Sequence, residues 1–475
     1  MPVSARVAFV VISLALLVSG PALAQRPKAP DWKAAEAEAL RHFQALVRMD
    51  TSDPPGGEKP AADYLKQVLE REGIPVQVFS VDPNRPNVVA RLKGSGAKRP
   101  VLIMGHTDVV NVDPKKWAHP PFGAEIADGY IYGRGTTDDK DNVTAALMAI
   151  LLLKRNHVPL DRDVIFLAEA GEEGNTRFGI EHLVNEHYDA IDAEYCIAEV
   201  GNVVRANGVV RFATVATGEK LSKGIDLIAH GPSGHGSIPL EGNAVAHLAR
   251  AIAAVTQWQP PVVLNATTRT YFERLANISP PEQAAQYRAL LSSDPKAVAA
   301  ADAWLRANEP RHASMLRTSV SPNIVRGGYR NNVIPSEARA TLDVRMRPED
   351  DADAFRATLA RVIADPAVEV VFNGFGGRPV AGVSPIDSEA FHVIEANIKR
   401  HYRTTTLPMM STGATDMAFL RARGQQCYGV GPAIDEEDGP KGYGAHSDQE
   451  RLLEAELYRF VRFHYDIVEQ LARKR

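Results

Sequence analysis

Cysteine is scarce in this chain, and its scarcity excludes two kinds of small stabilised fold. Only Cys196 and Cys427 occur among 475 residues. Two cysteines are too few for a disulfide scaffold or for a zinc module built from cysteines. Both lie in apolar, strand-like stretches, where a thiol packs like a small hydrophobic side chain. We therefore interpret them as free buried thiols, with a disulfide between them as the alternative.

Basic runs and long apolar runs are also missing. No stretch concentrates Lys and Arg, and the formal net charge is −4, so we expect no general nucleic-acid surface. Beyond residue 24, no segment has the 18 uninterrupted apolar residues that indicate a membrane span. The composition, 45% hydrophobic and 24% charged, is typical of a soluble globular protein with two or three domains.

The first 24 residues have the pattern of a secretory signal peptide. Arg6 precedes an apolar run over residues 7–18, and Ala22-Leu23-Ala24 forms a small-x-small cleavage signature. The run is short for a membrane span, so an uncleaved anchor is the weaker interpretation. We expect a signal peptide over residues 1–24 and an exported, periplasmic protein without stable membrane insertion.

Apolar periodicity predicts an α/β fold in two parts. The first part has helices over 34–49, 61–72 and 142–154, and strands over 75–81, 87–92, 101–104, 164–167 and 195–198. After Gly218 the pattern changes to strands over 225–229, 338–346 and 368–372 and helical stretches over 244–256, 281–307 and 353–363. A final helix is predicted over 450–473. We infer a discontinuous α/β catalytic domain, residues 31–219 and 376–475, with a smaller α+β domain, residues 220–375, inserted into it.

Three predicted strands are each followed by side chains that bind metals. His106 and Asp108 follow the first, Glu172 and Glu173 the second, and Glu199 the third. Because sites in open α/β sheets form at the carboxyl ends of strands, we expect these side chains at one edge.

Two further segments complete this ligand set. Asp138 lies in a glycine-containing loop, and His446 precedes the last helix. Two histidines and several carboxylates form a donor set that zinc accepts, and two neighbouring metals need a bridging carboxylate.

The motifs of this chain, taken together and in order, resemble those of one known family. The chain resembles the dizinc metallopeptidase and deacylase family that contains glutamate carboxypeptidases, aminoacylases, acetylornithine deacetylase and succinyl-diaminopimelate desuccinylase. The motifs that carry it are His106-Thr107-Asp108, Gly133-Arg134-Gly135-x-x-Asp138-x-Lys140, Glu172-Glu173, Glu199, Gly234-His235-Gly236-Ser237, Asn332-Val333-Ile334-Pro335, Asp343-Val344-Arg345, and His446 followed by Glu450.

The resemblance implies a two-zinc centre, with cobalt or manganese as substitutes. In it, Asp138 bridges the two ions, His106 and Glu199 complete one site, and Glu173 and His446 complete the other. It also implies a zinc-peptidase-type fold, with a mixed sheet between helices and an inserted lid or dimerisation domain. A homodimer through that insert is therefore an expectation.

The resemblance also implies roles for residues that do not bind metal. Asp108 holds the imidazole of His106, and Glu172 is the general base. His235 reaches the oxyanion of the tetrahedral intermediate, from its own or a partner subunit. Arg345 and Asn332 hold the substrate's free carboxylate.

Gly413 is the last residue that the resemblance places beside the substrate, in a glycine-containing turn. Each assignment has a simpler structural alternative. Asp138 can cap a helix, Glu199 can be a surface acid, and Arg345 can be an outward strand residue. We interpret the remaining histidines, such as His42, His157, His247 and His464, as surface residues.

The predicted activity is zinc-dependent hydrolysis of an amide bond beside a free carboxylate, as an exported carboxypeptidase acting on small peptides. The alternative is an N-acyl-amino-acid deacylase. A catalytically inactive binding protein of the same fold is a remote alternative, because a complete ligand set together with Glu172 argues against it.

Overall fold

The computed structural model describes Met1 and residues 29–474. The predicted signal peptide falls on residues outside this description. The helices, in chain order, are Trp32–Val47, Lys59–Arg71, Lys140–Arg155, Ile180–Glu186, Tyr188–Ile191, Ala244–Gln257, Ala266–Ile278, Pro281–Leu290, Pro295–Asn308, Pro310–Met315, Ala352–Ile363, Glu389–Tyr402, Met417–Ala422, Asp438–Lys441 and Glu454–Ala472, with short 3₁₀ turns at Pro114–Lys116 and Thr176–Phe178.

A large mixed sheet of ten strands forms the centre of the molecule. Its strands, in spatial order, are Val76–Phe79, Asn87–Leu92, Val164–Glu169, Val101–His106, Tyr195–Ala198, Gln426–Gly429, Val209–Glu219, Val203–Ala206 and Ala433–Asp435, with Thr406–Ser411 pairing beside Val209–Glu219. The neighbours Val164–Glu169, Val101–His106 and Tyr195–Ala198 run parallel. Their carboxyl ends therefore meet at one edge.

Helices cover this sheet, and their apolar faces explain why it forms. Residues 140–153 of the helix Lys140–Arg155 are all buried, and the helix packs against Glu454–Ala472 and Trp32–Val47. The strands beneath are continuous apolar runs, as expected for a sheet covered on both faces. The predicted mixed sheet between helices is confirmed.

A separate four-stranded antiparallel sheet forms the inserted unit. Its strands, in spatial order, are Ser319–Gly327, Glu337–Met346, Leu221–His230 and Val368–Phe372. The helices Ala244–Gln257 and Ala352–Ile363 pack on it around a core of their own. The remaining short strands pair outside both sheets: Ser52–Asp53 with Val109–Val110, Gly234–His235 with Val333–Ile334, and Arg451–Leu453 with Tyr130–Tyr132 and Glu125–Ala127.

A group of helices between Ala266 and Met315 differs from the sequence prediction. The helical stretch predicted over 281–307 is divided into two helices, because Asp294 caps a new helix that begins at Pro295. These helices also pack against the strand Thr406–Ser411 of the large sheet, with Phe272 and Leu407 in one apolar cluster. They therefore form a wall beside the large sheet.

Several cysteines and histidines named above are buried in the fold. Cys196 and Cys427 are free and buried, and they lie opposite each other on paired strands. The prediction of surface histidines is wrong for His42, which is 8% exposed, and for His464, which is only 1% exposed. The helix of His464 packs against Lys140–Arg155, Glu389–Tyr402 and Trp32–Val47, so more than one face is covered. No helix in the described part of the chain is long and apolar enough to span a membrane.

Candidate metal centre and active site

The parallel strands of the large sheet bring three of the predicted ligand segments together. His106 ends the strand Val101–His106, and Glu199 directly follows Tyr195–Ala198. Glu172 and Glu173 lie in the turn after Val164–Glu169. These strands are adjacent and parallel, so their side chains converge at one edge.

His106, Asp138 and Glu199 form one group of potential metal ligands. The Nε2 atom of His106 lies 3.0 Å from Oδ1 of Asp138 and 3.9 Å from Oε2 of Glu199. His106 is only 1% exposed, so its imidazole lies inside the protein and not at the surface. One ligand atom from each residue lies within 4.8 Å of the others, close enough for one metal ion.

Asp138, Glu173 and His446 form a second group of the same kind. The Nε2 atom of His446 lies 3.1 Å from Oδ2 of Asp138 and 2.9 Å from Oε1 of Glu173. His446 is the exposed member, with 53% of its side chain accessible. The two carboxylate oxygens of Asp138 thus face different imidazoles, and the two groups share this residue.

The orientation of the His106 ring fits a metal ligand. Its Nδ1 lies 3.0 Å from the backbone oxygen of Asp108, which makes Nδ1 the donor in a neutral ring. The lone pair of Nε2 then faces carboxylate oxygens of Asp138 and Glu199, an arrangement that a cation between them would stabilise. Burial raises the pKa of Glu199, and the neighbouring carboxyl of Glu172 raises it further. Carboxylates and imidazoles crowded in this way fit a divalent cation.

Asp108 organises the turn that carries the two glutamates. Its carboxylate accepts backbone hydrogen bonds from Glu172 at 3.2 Å and Glu173 at 2.9 Å. The carboxylate oxygen is 3.6 Å from Nδ1 of His106, so the backbone oxygen of Asp108 makes the shorter contact with the ring. Burial alone would raise the pKa of Asp108, but His106 and these N–H groups hold it below its usual value.

The Asp138 loop is fixed by a buried glutamate from the end of the chain. Glu450 accepts hydrogen bonds from Nη1 of Arg134 at 2.6 Å and from the backbone N–H groups of Gly135 and Thr137 at 3.1 and 2.7 Å. Since Glu450 lies four residues after His446, these bonds join the segments that carry the two predicted ligands.

The candidate general base Glu172 contacts Arg378, a residue that no motif includes. Its Oε1 accepts a 2.5 Å hydrogen bond from Nη2 of Arg378, and the same nitrogen lies 3.2 Å from Oδ1 of Asp416. Burial and the Asp416 carboxyl raise the pKa of Glu172, whereas Arg378 opposes the rise. Arg378 lies in a loop of irregular structure and in none of the motifs, so nothing in the sequence marks it as a site residue.

The predicted residues of the inserted domain belong to neither of these ligand groups in the described part of the chain. His235 is exposed, and its ring bonds to Oγ of Ser237 at 2.7 Å, its single side-chain partner in the described chain. Asn332 is its neighbour, because its backbone oxygen accepts from the N–H of Gly236 at 2.9 Å.

Arg345 and Gly413 are the remaining predicted substrate-binding residues. Arg345 makes a two-pronged ion pair with Asp343, with Nε–Oδ1 at 2.8 Å and Nη2–Oδ2 at 3.2 Å. Gly413 follows the strand Thr406–Ser411, and its N–H donates to Oγ of Ser411 at 3.2 Å. The roles of these residues stay predictions.

A cavity of about 710 Å³ adjoins the ligand groups. Thr137 and Ala445, the sequence neighbours of Asp138 and His446, line it. Part of the rest is apolar, with Leu275, Ile278 and Met315 from the helical wall and Phe212 and Met409 from the large sheet. Charged side chains line another part, among them Glu309, Arg311, Asp435 and Arg451. Its volume is within the range of small-molecule sites.

The chain is similar in sequence to a family of known peptidases. The sequence model described as peptidase family M20/M25/M40 matches residues 102–470. The chain is 27% identical over 390 residues to the N-fatty-acyl-amino acid synthase/hydrolase PM20D1 of Xenopus tropicalis, covering 78% of this chain and 72% of that protein. It is 26% identical over 389 residues to a probable carboxypeptidase S-like 2 of Dictyostelium discoideum, covering 78% and 71%.

Solved structures share the fold. The M20 family metallo-carboxypeptidase Sso-CP2 of Sulfolobus solfataricus superposes with a TM-score of 0.66 at 20% identity, covering 91% of this chain and 98% of that one. The Bacillus subtilis YXEP protein, described as a dinuclear metal binding peptidase from the M20 family, superposes with a TM-score of 0.58 at 14% identity, covering 92% and 99%.

Proposed function

Because the chain belongs to the M20/M25/M40 peptidase family, we propose that this M20 hydrolase cleaves an amide bond beside a free carboxylate at a two-metal centre. The observation that carries the proposal is the shared position of Asp138. Its two oxygens face His106 and His446, each with a second carboxylate beside it. A binding protein without catalysis would not need the carboxyl of Glu172 beside these ligands, where it interacts with His106.

Five residues would hold the metal ions: His106, Asp138, Glu173, Glu199 and His446. Bound zinc would supply Lewis acidity and lower the pKa of a coordinated water, and cobalt or manganese would serve in its place. Glu172 takes a proton from the attacking water and delivers it to the leaving amine.

Asp108 and His235 support this chemistry from different places. Asp108 holds the turn of Glu172 through backbone hydrogen bonds, so it orients the base. His235 lies outside the ligand groups. We propose that it reaches the developing oxyanion when the inserted domain faces the metal centre of its own or of a partner subunit. We propose that Asn332 and Arg345 hold the free carboxylate of the substrate, and Asn332 directly precedes the short strand that pairs with the strand of His235.

Two substrate classes fit this chemistry, namely small peptides cleaved by a carboxypeptidase and N-acyl amino acids cleaved by a deacylase. The apolar part of the cavity, which includes Leu275, Met315 and Met409, supports the deacylase because it suits an extended acyl group. The Xenopus relative is named for fatty-acyl amino acids and the Dictyostelium relative for a carboxypeptidase.

A substrate panel tests the proposal. Alanyl-leucine, N-acetyl-leucine and N-lauroyl-leucine, each with a free and an amidated C-terminus, would be incubated with the zinc-loaded protein. We expect faster turnover of the free acids, and faster turnover of the lauroyl than the acetyl compound. No hydrolysis of any of the six compounds would refute the proposed activity.

The assembly and location of the protein are further proposals. The strand Ser319–Gly327 forms an edge of the inserted sheet and exposes Ile324 and Val325, with Tyr329 exposed just beyond it. This surface supports a homodimer through the inserted domain. The pattern of residues 1–24 supports export to the periplasm, which N-terminal sequencing of the protein from cell fractions would test.

A further inference from the structure

The helix Ile180–Glu186 and the residue after it carry a third group of potential metal ligands. His182, Glu186 and His187 each offer one ligand atom, and the three atoms lie within 4.8 Å of one another. None of these residues belongs to the two groups that share Asp138. Two imidazoles and one carboxylate form a donor set that zinc accepts, with a water as the fourth ligand.

The spacing of His182 and Glu186 places their side chains next to each other. The two residues are four positions apart, about one helical turn. Nδ1 of His182 lies 3.3 Å from Oε1 of Glu186. Metal–ligand bonds of about 2.0–2.2 Å in a tetrahedron separate neighbouring ligand atoms by about 3.3–3.6 Å. These two atoms therefore already have the separation of two zinc ligands.

The imidazole of His182 lacks a hydrogen-bonding partner. Its side chain is 8% exposed, and its Nδ1 is buried and makes no hydrogen bond in the described chain. A buried polar atom without a partner destabilises a fold. Because this nitrogen faces the carboxylate of Glu186, a cation bound between them would remove that penalty.

The second imidazole, His187, is held in place by packing. Its ring stacks on Phe79 with centroids 4.2 Å apart, and it meets the ring of His182 edge-on at 4.9 Å. Its backbone N–H donates to the oxygen of Leu183 at 2.9 Å, and Leu183 lies in an apolar cluster of the large sheet. The two rings are therefore fixed side by side before any ion binds.

A comparison with another acidic group shows why this one is suited to a metal. Asp53, Glu58 and Asp108 also lie close enough to share an ion. Arg85 already occupies that position, with Nη2 at 2.6 Å from Oε1 of Glu58 and 2.5 Å from Oδ2 of Asp53. In the described chain, by contrast, Glu186 forms no ion pair with an arginine or lysine.

We infer that His182, Glu186 and His187 form a further metal site, separate from the proposed two-metal centre, that binds a divalent transition-metal ion such as zinc. The inference does not rest on the proposed hydrolysis. The helix follows the turn of Glu172 and Glu173, so a bound ion would stabilise the segment that leads away from that turn.

The site should bind zinc more weakly than the two-metal centre does. It has three protein ligands and no carboxylate shared between two ions, and Glu186 is its exposed member, with 66% of the side chain accessible. We therefore expect dialysis of the zinc-loaded protein to empty this site and to leave the two ions of the centre in place.

Calorimetric titration of zinc into the dialysed, zinc-loaded protein tests the inference. The wild type should bind one additional ion per chain. Glu186→Gln and His187→Gln should each weaken this binding by at least about tenfold, because each removes a ligand. The controls are Glu181→Gln, from the same helix, and His392→Gln, an exposed histidine of the helix Glu389–Tyr402. Both should bind the additional ion as the wild type does.

Hydrogen exchange locates the additional ion without a turnover assay. Adding zinc to the dialysed wild type should slow amide exchange over residues 180–191, and it should have no such effect in Glu186→Gln. Circular dichroism would show that the variants are folded, and Glu186→Gln changes only an exposed side chain.

Three results would overturn the inference. The first is a wild type that binds no additional zinc. The second is equal binding of the additional ion by the wild type, Glu186→Gln and His187→Gln, which would place the ion elsewhere. The third is zinc-dependent protection that misses residues 180–191. Loss of the two tightly bound ions on dialysis would instead contradict the proposed centre.

Discussion

Arg134 and Glu450 form a buried ion pair that joins two distant parts of the chain. Nη1 of the arginine lies 2.6 Å from Oε2 of the glutamate, and their side chains are 3% and 0% exposed. Arg134 lies four residues before Asp138, and Glu450 lies four residues after His446. The pair therefore fixes the relative position of two proposed metal ligands.

Replacing Glu450 should destabilise both the fold and the metal centre. In Glu450→Gln, one acceptor oxygen replaces the carboxylate that now serves Arg134, Gly135 and Thr137. Breaking a buried ion pair from one side costs about 3–5 kcal/mol. Urea unfolding should report this loss, while Glu241→Gln, at an exposed loop position, should change the unfolding free energy by less than about 0.5 kcal/mol. If the two variants were equally stable, the ion pair of Arg134 and Glu450 would have no structural role.

The adjacent residues Glu172 and Glu173 should behave differently when each is changed to glutamine. Glu172→Gln should keep the metal and lose about 10²- to 10⁴-fold in kcat, because it removes a proton carrier. Glu173→Gln should lose metal as well as activity, because its Oε1 belongs to the group with His446. Metal analysis and steady-state kinetics on the same samples would show the difference. Metal loss in both variants would contradict the division of roles.

Metal removal should change stability as well as activity. Chelation leaves Asp138, Glu199 and their neighbours without the cation that their crowding favours. A metal present at about 1,000 times its Kd stabilises the folded state by about 4 kcal/mol. Zinc, cobalt or manganese should therefore raise the Tm of the chelated protein by several degrees. The same Tm with and without each metal would contradict the proposed centre.

His235 should act on the transition state. His235→Ala should lower kcat more than it raises KM, since it removes a group that meets charge only as the reaction proceeds. The ring now contacts Ser237, so Ser237→Ala serves as the control for loss of that hydrogen bond. An effect restricted to KM would make His235 a ground-state binding residue.

The edge strand of the inserted sheet gives a separate test of assembly. Val325 is 62% exposed on Ser319–Gly327, and a charge there should prevent pairing of two copies. Light scattering coupled to size exclusion should find a wild-type dimer and a Val325→Asp monomer. A wild-type monomer would refute the dimer proposal.

The sequence predicted the α/β class and the mixed sheet because buried strands leave compact apolar runs such as residues 101–104 and 164–167. It also placed ligand-type residues after these strands, and the structure brings His106, Asp138 and Glu199 together. Strand order follows from long-range pairing, for which a single sequence carries little signal.

The errors have physical causes. His464 was expected at the surface because a polar residue in an amphipathic helix usually faces water, but its helix is covered on several sides. Burial without a hydrogen-bonding partner lowers its pKa to about 3. No sequence pattern marks Arg378, because its contact with Glu172 forms only where the chain returns from the inserted sheet to the large sheet.

Metal stoichiometry tests the central claim, that Asp138 is shared by two metal sites, most directly. Purified protein would be loaded with zinc, dialysed and analysed by mass spectrometry of the metal, beside Asp138→Asn and the control Asp128→Asn, from a surface turn. We expect two zinc ions per chain in the wild type and the control. Asp138→Asn should hold fewer than one, because both groups lose a carboxylate. Two ions retained by Asp138→Asn, or a single ion in the wild type, would contradict the shared site.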